Sequence, residues 1–423
     1  MNRRLVFMLA LLPASSFAAG VAVVGGTVHP LEGDQPLEGA TVLIENGRIR
    51  AVGTGLDVPA GFERIDARGK VVTPGFIDPH TQLGLVEISG EISTVDAVVT
   101  TFVIGDEAGV ERYRLGPAFD VQYAINGDST LLPVSRLEGI TRAVVAPVPG
   151  NDPFSGWGAG IGLGDGEVVK EPRLALFGSI GAGSARFTGG SRSAVIQRLR
   201  MGLEEARGFR PGRYRSEHGD YTRQDMAALA WFLESEKPLV LSVDRANEIG
   251  EAVALARDFD VPLVIHGGAE AWKMADVLVE ARVPVIVDTL DNIPISYDQL
   301  GARIDNAALL HQAGVPVLFT AEDSHNARSI RQVAGNAVAE GMPWAAALAA
   351  VTRVPAEVFG LPPGTGTLAE GAPADLVVWS GDPLEITEWP ERVMIDGEWM
   401  PMESRQTRLL ERYRDLGAPY GYR

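Results

Sequence analysis

The sequence predicts an α/β protein: a TIM-like (β/α)8 barrel with a small β-sandwich domain formed by the N- and C-terminal segments. Two patterns carry that expectation. Apolar strand-like runs alternate with helical periodicity through the middle of the chain, and short strands with hairpin turns crowd both ends. A length of 423 residues accommodates one large domain and a smaller one. The 49 glycines and 27 prolines supply the tight turns that repeated strand–helix connections need.

The first residues read as an export signal. Asn2-Arg3-Arg4 is the positive end, residues 5–12 the apolar core and Ser16-Phe17-Ala18-Ala19 a small-residue cleavage site. Residues 1–19 are therefore an expected signal peptide, and in a Gram-negative host the mature chain is expected in the periplasm. The apolar run is too short for a permanent membrane span. Residues 20–73 read as the N-terminal part of the small β-domain, with Asn46-Gly47 suited to a type I′ hairpin. The barrel is expected over 74–360. Its strands are read at 142–147, 239–243, 262–265, 284–287 and 315–319. Helices are read at 194–206, 223–236, 247–259, 271–281, 304–313 and 330–339. The glycine-dense stretch 147–160 lacks the Lys-Ser/Thr ending of a phosphate loop and reads as a long ordered barrel loop. Residues 361–402 return to the β-domain, with a second hairpin at Asp396-Gly397, and 403–423 form an arginine-rich helix or tail.

Composition narrows the function classes. A formal charge of −18 argues against nucleic acid and anionic membrane surfaces as partners, and leans weakly toward a cationic substrate. A small molecule is the expected ligand. With no cysteine there is no disulfide, thiolate metal site or lipoprotein anchor.

The motif with most chemistry is Val72-Thr73-Pro74-Gly75-Phe76-Ile77-Asp78-Pro79-His80-Thr81-Gln82, a short strand delivering a histidine at its far end. It resembles the first barrel strand of the amidohydrolase superfamily, especially its imidazolonepropionase-like and dipeptidase-like branch. The run Gly364-Thr365-Gly366-Thr367-Leu368-Ala369-Glu370-Gly371-Ala372-Pro373-Ala374-Asp375-Leu376-Val377-Val378 resembles that family's closing signature, as does Ser380-Gly381-Asp382-Pro383-Leu384. The resemblance implies hydrolysis of C–N bonds by water activated on zinc or another divalent metal. It also implies a ligand set, and here that set is reduced. His80 matches the first histidine, but Gln82 stands where the second is expected, and an amide is a poor ligand beside an imidazole. His266, after the apolar run Leu263-Val264-Ile265, matches the sixth-strand histidine. Ser242 or Asp244 occupies the fifth-strand position. Asp323 matches the eighth-strand aspartate, ligand and base, with Glu322 the alternative under a one-residue shift. None of Lys70, Lys170, Lys237 and Lys273 follows a strand suited to the bridging lysine.

The resulting expectation is a metal set of His80, His266 and Asp323 holding one ion, with Asp323 and Asp244 as catalytic carboxylates; a metal-free site is the alternative. Each residue also has a plainer reading. His80 and His266 would then be hydrogen-bonded strand-end histidines, Asp244 an ion pair with Arg245, Asp323 and Ser324 helix caps, and His218 a loop residue. Two functions follow: an exported amide, cyclic-amide or dipeptide hydrolase, or a catalytically weak periplasmic binding or accessory protein on the same scaffold. Barrels of this type often pair, so a homodimer is the assembly to test.

Overall fold

The computed structural model describes residues 20–33, 35–98, 116–212, 221–322 and 324–414. The first strands are β1 (Gly20–Val28), β2 (Leu37–Glu45), β3 (Arg48–Thr54), β4 (Phe62–Asp66) and β5 (Val71–Pro74). The barrel strands follow: β6 (Phe76–Thr81), β7 (Ile140–Val145), β8 (Phe154–Gly162), β9 (Val169–Ser179), β10 (Leu239–Val243), β11 (Leu263–Gly267), β12 (Val285–Val287) and β13 (Val317–Phe319). Last come β14 (Leu376–Trp379), β15 (Pro390–Ile395) and β16 (Glu398–Trp399).

The terminal segments share one eight-stranded sheet in the order β16-β15-β14-β5-β1-β2-β3, with β4 also beside β1. Both expected hairpins form. Asn46 and Gly47 have φ of 53° and 74°, and Asp396 and Gly397 have 50° and 85°, the positive angles a type I′ turn requires. The two tips touch. A Cβ on Gly397 would lie 2.4 Å from the Gly47 Cα, so only glycine fits. Val23, Val42, Ile44, Ile65, Val72, Leu376, Val378 and Met394 give this sheet its own core.

The second sheet is the nearly closed barrel, ordered β6 to β13 in sequence. The Thr320 hydroxyl, just past β13, lies within hydrogen-bond distance of Asp78 Oδ1 at 2.8 Å and of the His80 carbonyl at 2.7 Å, tying the last strand to the first. The predicted fold class stands, with one correction. Residues 154–160, expected to lie in a loop, belong to β8, which is wholly buried and antiparallel to both β7 and β9. Glycine density hid the strand, yet packing demands it. A Cβ on Gly158 would lie 2.4 Å from the Phe177 ring and 2.7 Å from the Val145 carbonyl oxygen. Trp157 is buried within this strand and meets Trp231 and Phe232 edge-on.

Strand alternation explains where the polar residues go. Val144, Phe177, Val240, Val264, Ile286 and Leu318 share one cluster inside the barrel, closed by Phe359. Leu239, Leu241, Val243, Leu263, Ile265, Val285, Val287, Val317 and Phe319 belong instead to the larger core under the helices. Stepping two residues along each strand from the inner cluster reaches Ser179, Ser242, His266, Asp288 and Thr320. An apolar plug is thus followed directly by a polar layer at the C-terminal ends of the strands, the end where barrel active sites are built.

Candidate active site

The polar layer is anchored by Asp78 and His80 on β6. Asp78 is fully buried, and its Oδ1 accepts from the His80 backbone N–H at 3.0 Å and from the Thr320 hydroxyl. Burial pushes its carboxyl up to about 8, so it is protonated at neutral pH. The His80 ring stacks on that of His266, with centroids 3.7 Å apart and planes 17° from parallel. Burial, followed by the neighbouring His266, holds His80 down at about 3, so it is a neutral imidazole.

His266 is set by its neighbours on both sides. The parallel register of β10 and β11 puts Ser242 beside it, and the Ser242 hydroxyl lies 2.9 Å from Nδ1. Its Nε2 lies 3.4 Å from Glu322 Oε1, within ion-pair reach but not aligned as a hydrogen bond. The His266 contact, outweighing partial burial, holds Glu322 down at about 2. Glu322 has a left-handed backbone at φ 52°, which a β-carbon disfavours. Strain of this kind, in a residue aimed at a buried imidazole, is a common signature of a functional site.

The pocket over this layer has a volume of about 310 Å³ and is lined by Ser179, Ser242, Asp244, His266, Asp291 and Glu322, among others. Asp244 is not paired with Arg245. Its Oδ1 accepts from the Ala269 N–H at 3.2 Å, while Arg245 turns to Glu248 at 3.3 Å. Burial raises its carboxyl. Asp288 and Asp291 also border Glu322. Burial, with the charges of Glu322 and Asp291, lifts Asp288 to about 6. Burial and Glu322 raise Asp291.

Two of the expected site residues, His266 and Asp244, therefore line the mouth, and His80 stacks on His266 behind them. Asp323 and His218 lie outside the described residues. Glu322, the one-residue alternative, makes the contact with His266. Gln82 is buried just past β6, and its carbonyl accepts from Leu85 and Val86 in the turn that follows. Lys273 pairs with Glu270 at 2.6 Å. Asp288 and Asp291 were missed as site residues in the sequence. The rule that found His266, a polar residue at the end of an apolar strand, also marks Asp288 after β12.

The two histidines can be tested as ligands of a divalent ion. His80 Nδ1 and His266 Nε2 are both buried without hydrogen-bond partners, and Ser242 on Nδ1 is the support a ligating imidazole ordinarily has. Lone pairs lie in the ring plane, however. In two rings stacked 3.7 Å apart and nearly parallel they run side by side, not toward a common point about 2.1 Å from each nitrogen. Among the described residues no three His, Cys, Asp or Glu side chains are grouped to hold a metal. As arranged, these donors do not fit the ion, and no step is derived through one.

Comparison with known proteins places the chain. The Amidohydrolase family profile matches residues 274–400. An amidohydrolase of Hapsidospora irregularis is 22% identical over 396 residues, 84% of this chain and 39% of that protein. The chain thus spans about two fifths of that relative's length. Imidazolonepropionase of Vibrio cholerae is 45% identical over 58 residues, 14% of each protein. The crystal structure of an amidohydrolase from Thermotoga maritima superposes with a TM-score of 0.78 at 24% identity, covering 90% of this chain and 99% of that one, and so shares the fold.

Proposed function

The chain belongs to the amidohydrolase superfamily, and on that premise we propose that it is an exported hydrolase of C–N bonds in small amides, cyclic amides or dipeptide-like molecules. The observation that carries this reading is the Ser242–His266–Glu322 chain of contacts opening on a pocket at the C-terminal ends of the strands. Ser242 fixes Nδ1, leaving the buried Nε2 against the ionised carboxylate of Glu322, which lines the pocket. A water held on Glu322 gives a proton to that pair as its oxygen attacks the amide carbon. The same pair returns the proton to the departing nitrogen as the C–N bond breaks. Asp244 faces the same space as a second carboxylate. Export rests on the pattern of residues 1–19.

The parallel histidine rings and the glutamine at position 82 favour a second reading, a binding protein on the same scaffold. The two separate in one experiment: metal analysis of the purified protein with a hydrolysis screen over dipeptides, lactams and acylated amino acids. The hydrolase reading expects turnover that falls about 10²–10⁴-fold in His266→Ala, with unchanged thermal unfolding. Folded protein that binds members of the screen without turning any over leaves the second reading.

A further inference from the structure

Beside the main pocket lies a narrow cleft of about 20 Å³, lined by Asp244, Asp288, Asp291, Asn306 and Glu322, among others. Its volume suits a single water-sized group, since a site of about 10–15 Å³ holds one water. Its lining sets these acceptors beside one cation, Arg303, whose guanidinium is already paired with Asp305. Asp244 and Asp288 take only backbone N–H donors, from Ala269 at 3.2 Å and Leu290 at 2.7 Å, and Asp291 takes the Gln299 amide at 3.0 Å. Among the described residues none of these three carboxylates is ion-paired with a lysine or arginine. The nearby arginines are engaged elsewhere: Arg192 with Asp298, Arg245 with Glu248 and Arg303 with Asp305.

Asn306 supplies an independent observation. It is 4% exposed, and its amide nitrogen donates to the Gly268 carbonyl at 3.0 Å, which fixes which end is oxygen. That oxygen, Oδ1, is buried without a donor. An orphaned acceptor costs free energy until something donates to it. A neutral ligand with one N–H would satisfy Asn306 but leave the carboxylates unbalanced. An anion would be repelled. A primary ammonium offers three donors and a positive charge in the volume of a water.

We propose that this cleft is the subsite for a primary ammonium group of the substrate, so that the scissile amide lying over His266 belongs to an amine-bearing molecule. The proposal rests on the hydrolase reading for the identity of the amide, but the cleft binds the ammonium whether or not the bond is cut. The carboxyls of Asp244, Asp288 and Asp291 all sit above their ordinary range, which a bound cation would reverse. Arg192 and Arg245 do not compete for the cleft, and the formal charge of −18 draws cations toward it.

The test uses the full mature chain in EDTA and a series of ω-amino carboxamides, from glycinamide to 6-aminohexanamide, each with its N-acetyl counterpart. Calorimetric titration should find at least one chain length that binds 10-fold or more tightly than its acetylated form. That ratio should fall toward 1 in Asp288→Asn and in Asp291→Asn, with thermal unfolding checking that each variant is folded. Equal affinity for free and acetylated amines throughout the series overturns the proposal. So does a preference that both variants retain, or one that EDTA abolishes, which would make the occupant a metal ion. Turnover separates the two claims. Selective binding with no hydrolysis sinks the hydrolase reading and leaves the subsite, whereas equal hydrolysis and binding of free and acetylated amides does the reverse.

Discussion

Two regions of this molecule gather carboxylates, and they treat them in opposite ways. At the junction between the barrel and the terminal sheet, Arg142 of β7 reaches Asp375 at 2.5 Å and Asp396 at 2.7 Å. Lys170 adds a second cation to Asp396 at 3.2 Å. Asp375 also accepts from the Asp396 N–H at 2.7 Å. Positive and negative charge are matched within the protein, and the junction asks nothing of solvent or ligand. At the mouth, Asp244, Asp288 and Asp291 receive N–H donors but no lysine or arginine among the described residues. Selection for stability alone would fill such a deficit, because unbalanced carboxylates crowded together in partly buried positions repel one another. The contrast separates a seam that holds the fold together from a site left incomplete for something else.

The contrast breaks most visibly at the junction. Arg142→Met strands Asp375 in a buried position and should lower the free energy of unfolding by about 3–5 kcal/mol, read from the urea midpoint at constant slope. A loss below about 1 kcal/mol would mean that the seam is held by its apolar contacts, and that the two regions differ less than their geometry implies.

A pH-dependent effect of similar size should come from Asp78. Unfolded, this carboxyl ionises near 3.8; folded, it keeps its proton to about 8. Between those values the folded state carries the extra proton, so stability falls as pH rises, by about 1.4 kcal/mol per unit. The loss levels off above pH 8. Asp78→Asn keeps the acceptor used by His80 and Thr320 but cannot ionise. The difference in unfolding free energy between variant and wild type should therefore grow from pH 5 to pH 8. A difference independent of pH would show that Asp78 does not hold an extra proton in the folded state.

The smallest effect concerns strain. Glu322→Gly relieves a left-handed backbone and should stabilise the protein by about 1 kcal/mol while lowering hydrolysis. A destabilised variant would show instead that the contact with His266 holds the loop in place.

The sequence made the frame of this site legible, and physical reasons explain the rest. β10 is read to its end residues because Leu239-Val240-Leu241-Ser242-Val243 is an unbroken strand-like run beside a turn. The helix Ile330–Ala339 is read in full from its apolar spacing. β8 was missed because its glycines carry no side chains to alternate, and the need for them appears only when Val145 and Phe177 close in. His80, His266 and Asp244 could be named from strand ends together with the family resemblance. That His80 and His266 stack, that Ser242 lies beside His266, and that Glu322 turns back toward it are consequences of register and backbone angle, which a residue pattern does not contain. Asn306 was invisible for another reason. It sits on a helix (Asn306–Ala313) whose periodicity gives no hint that its first residue lines an acidic cleft.

The pairing of β5 with β14 has a consequence for how the chain assembles. Thr73 lies opposite Val377, and the Trp379 indole donates to the Thr73 hydroxyl at 2.9 Å across a separation of 306 residues. One edge of β5 must stay open until nearly all of the polypeptide is available. Sheets completed by such distant segments form slowly, so during folding the apolar face of β5 is uncovered for longer than any part of the barrel mouth. A chaperone that shields strand edges would find its main task there, at the first-made segment waiting for the last.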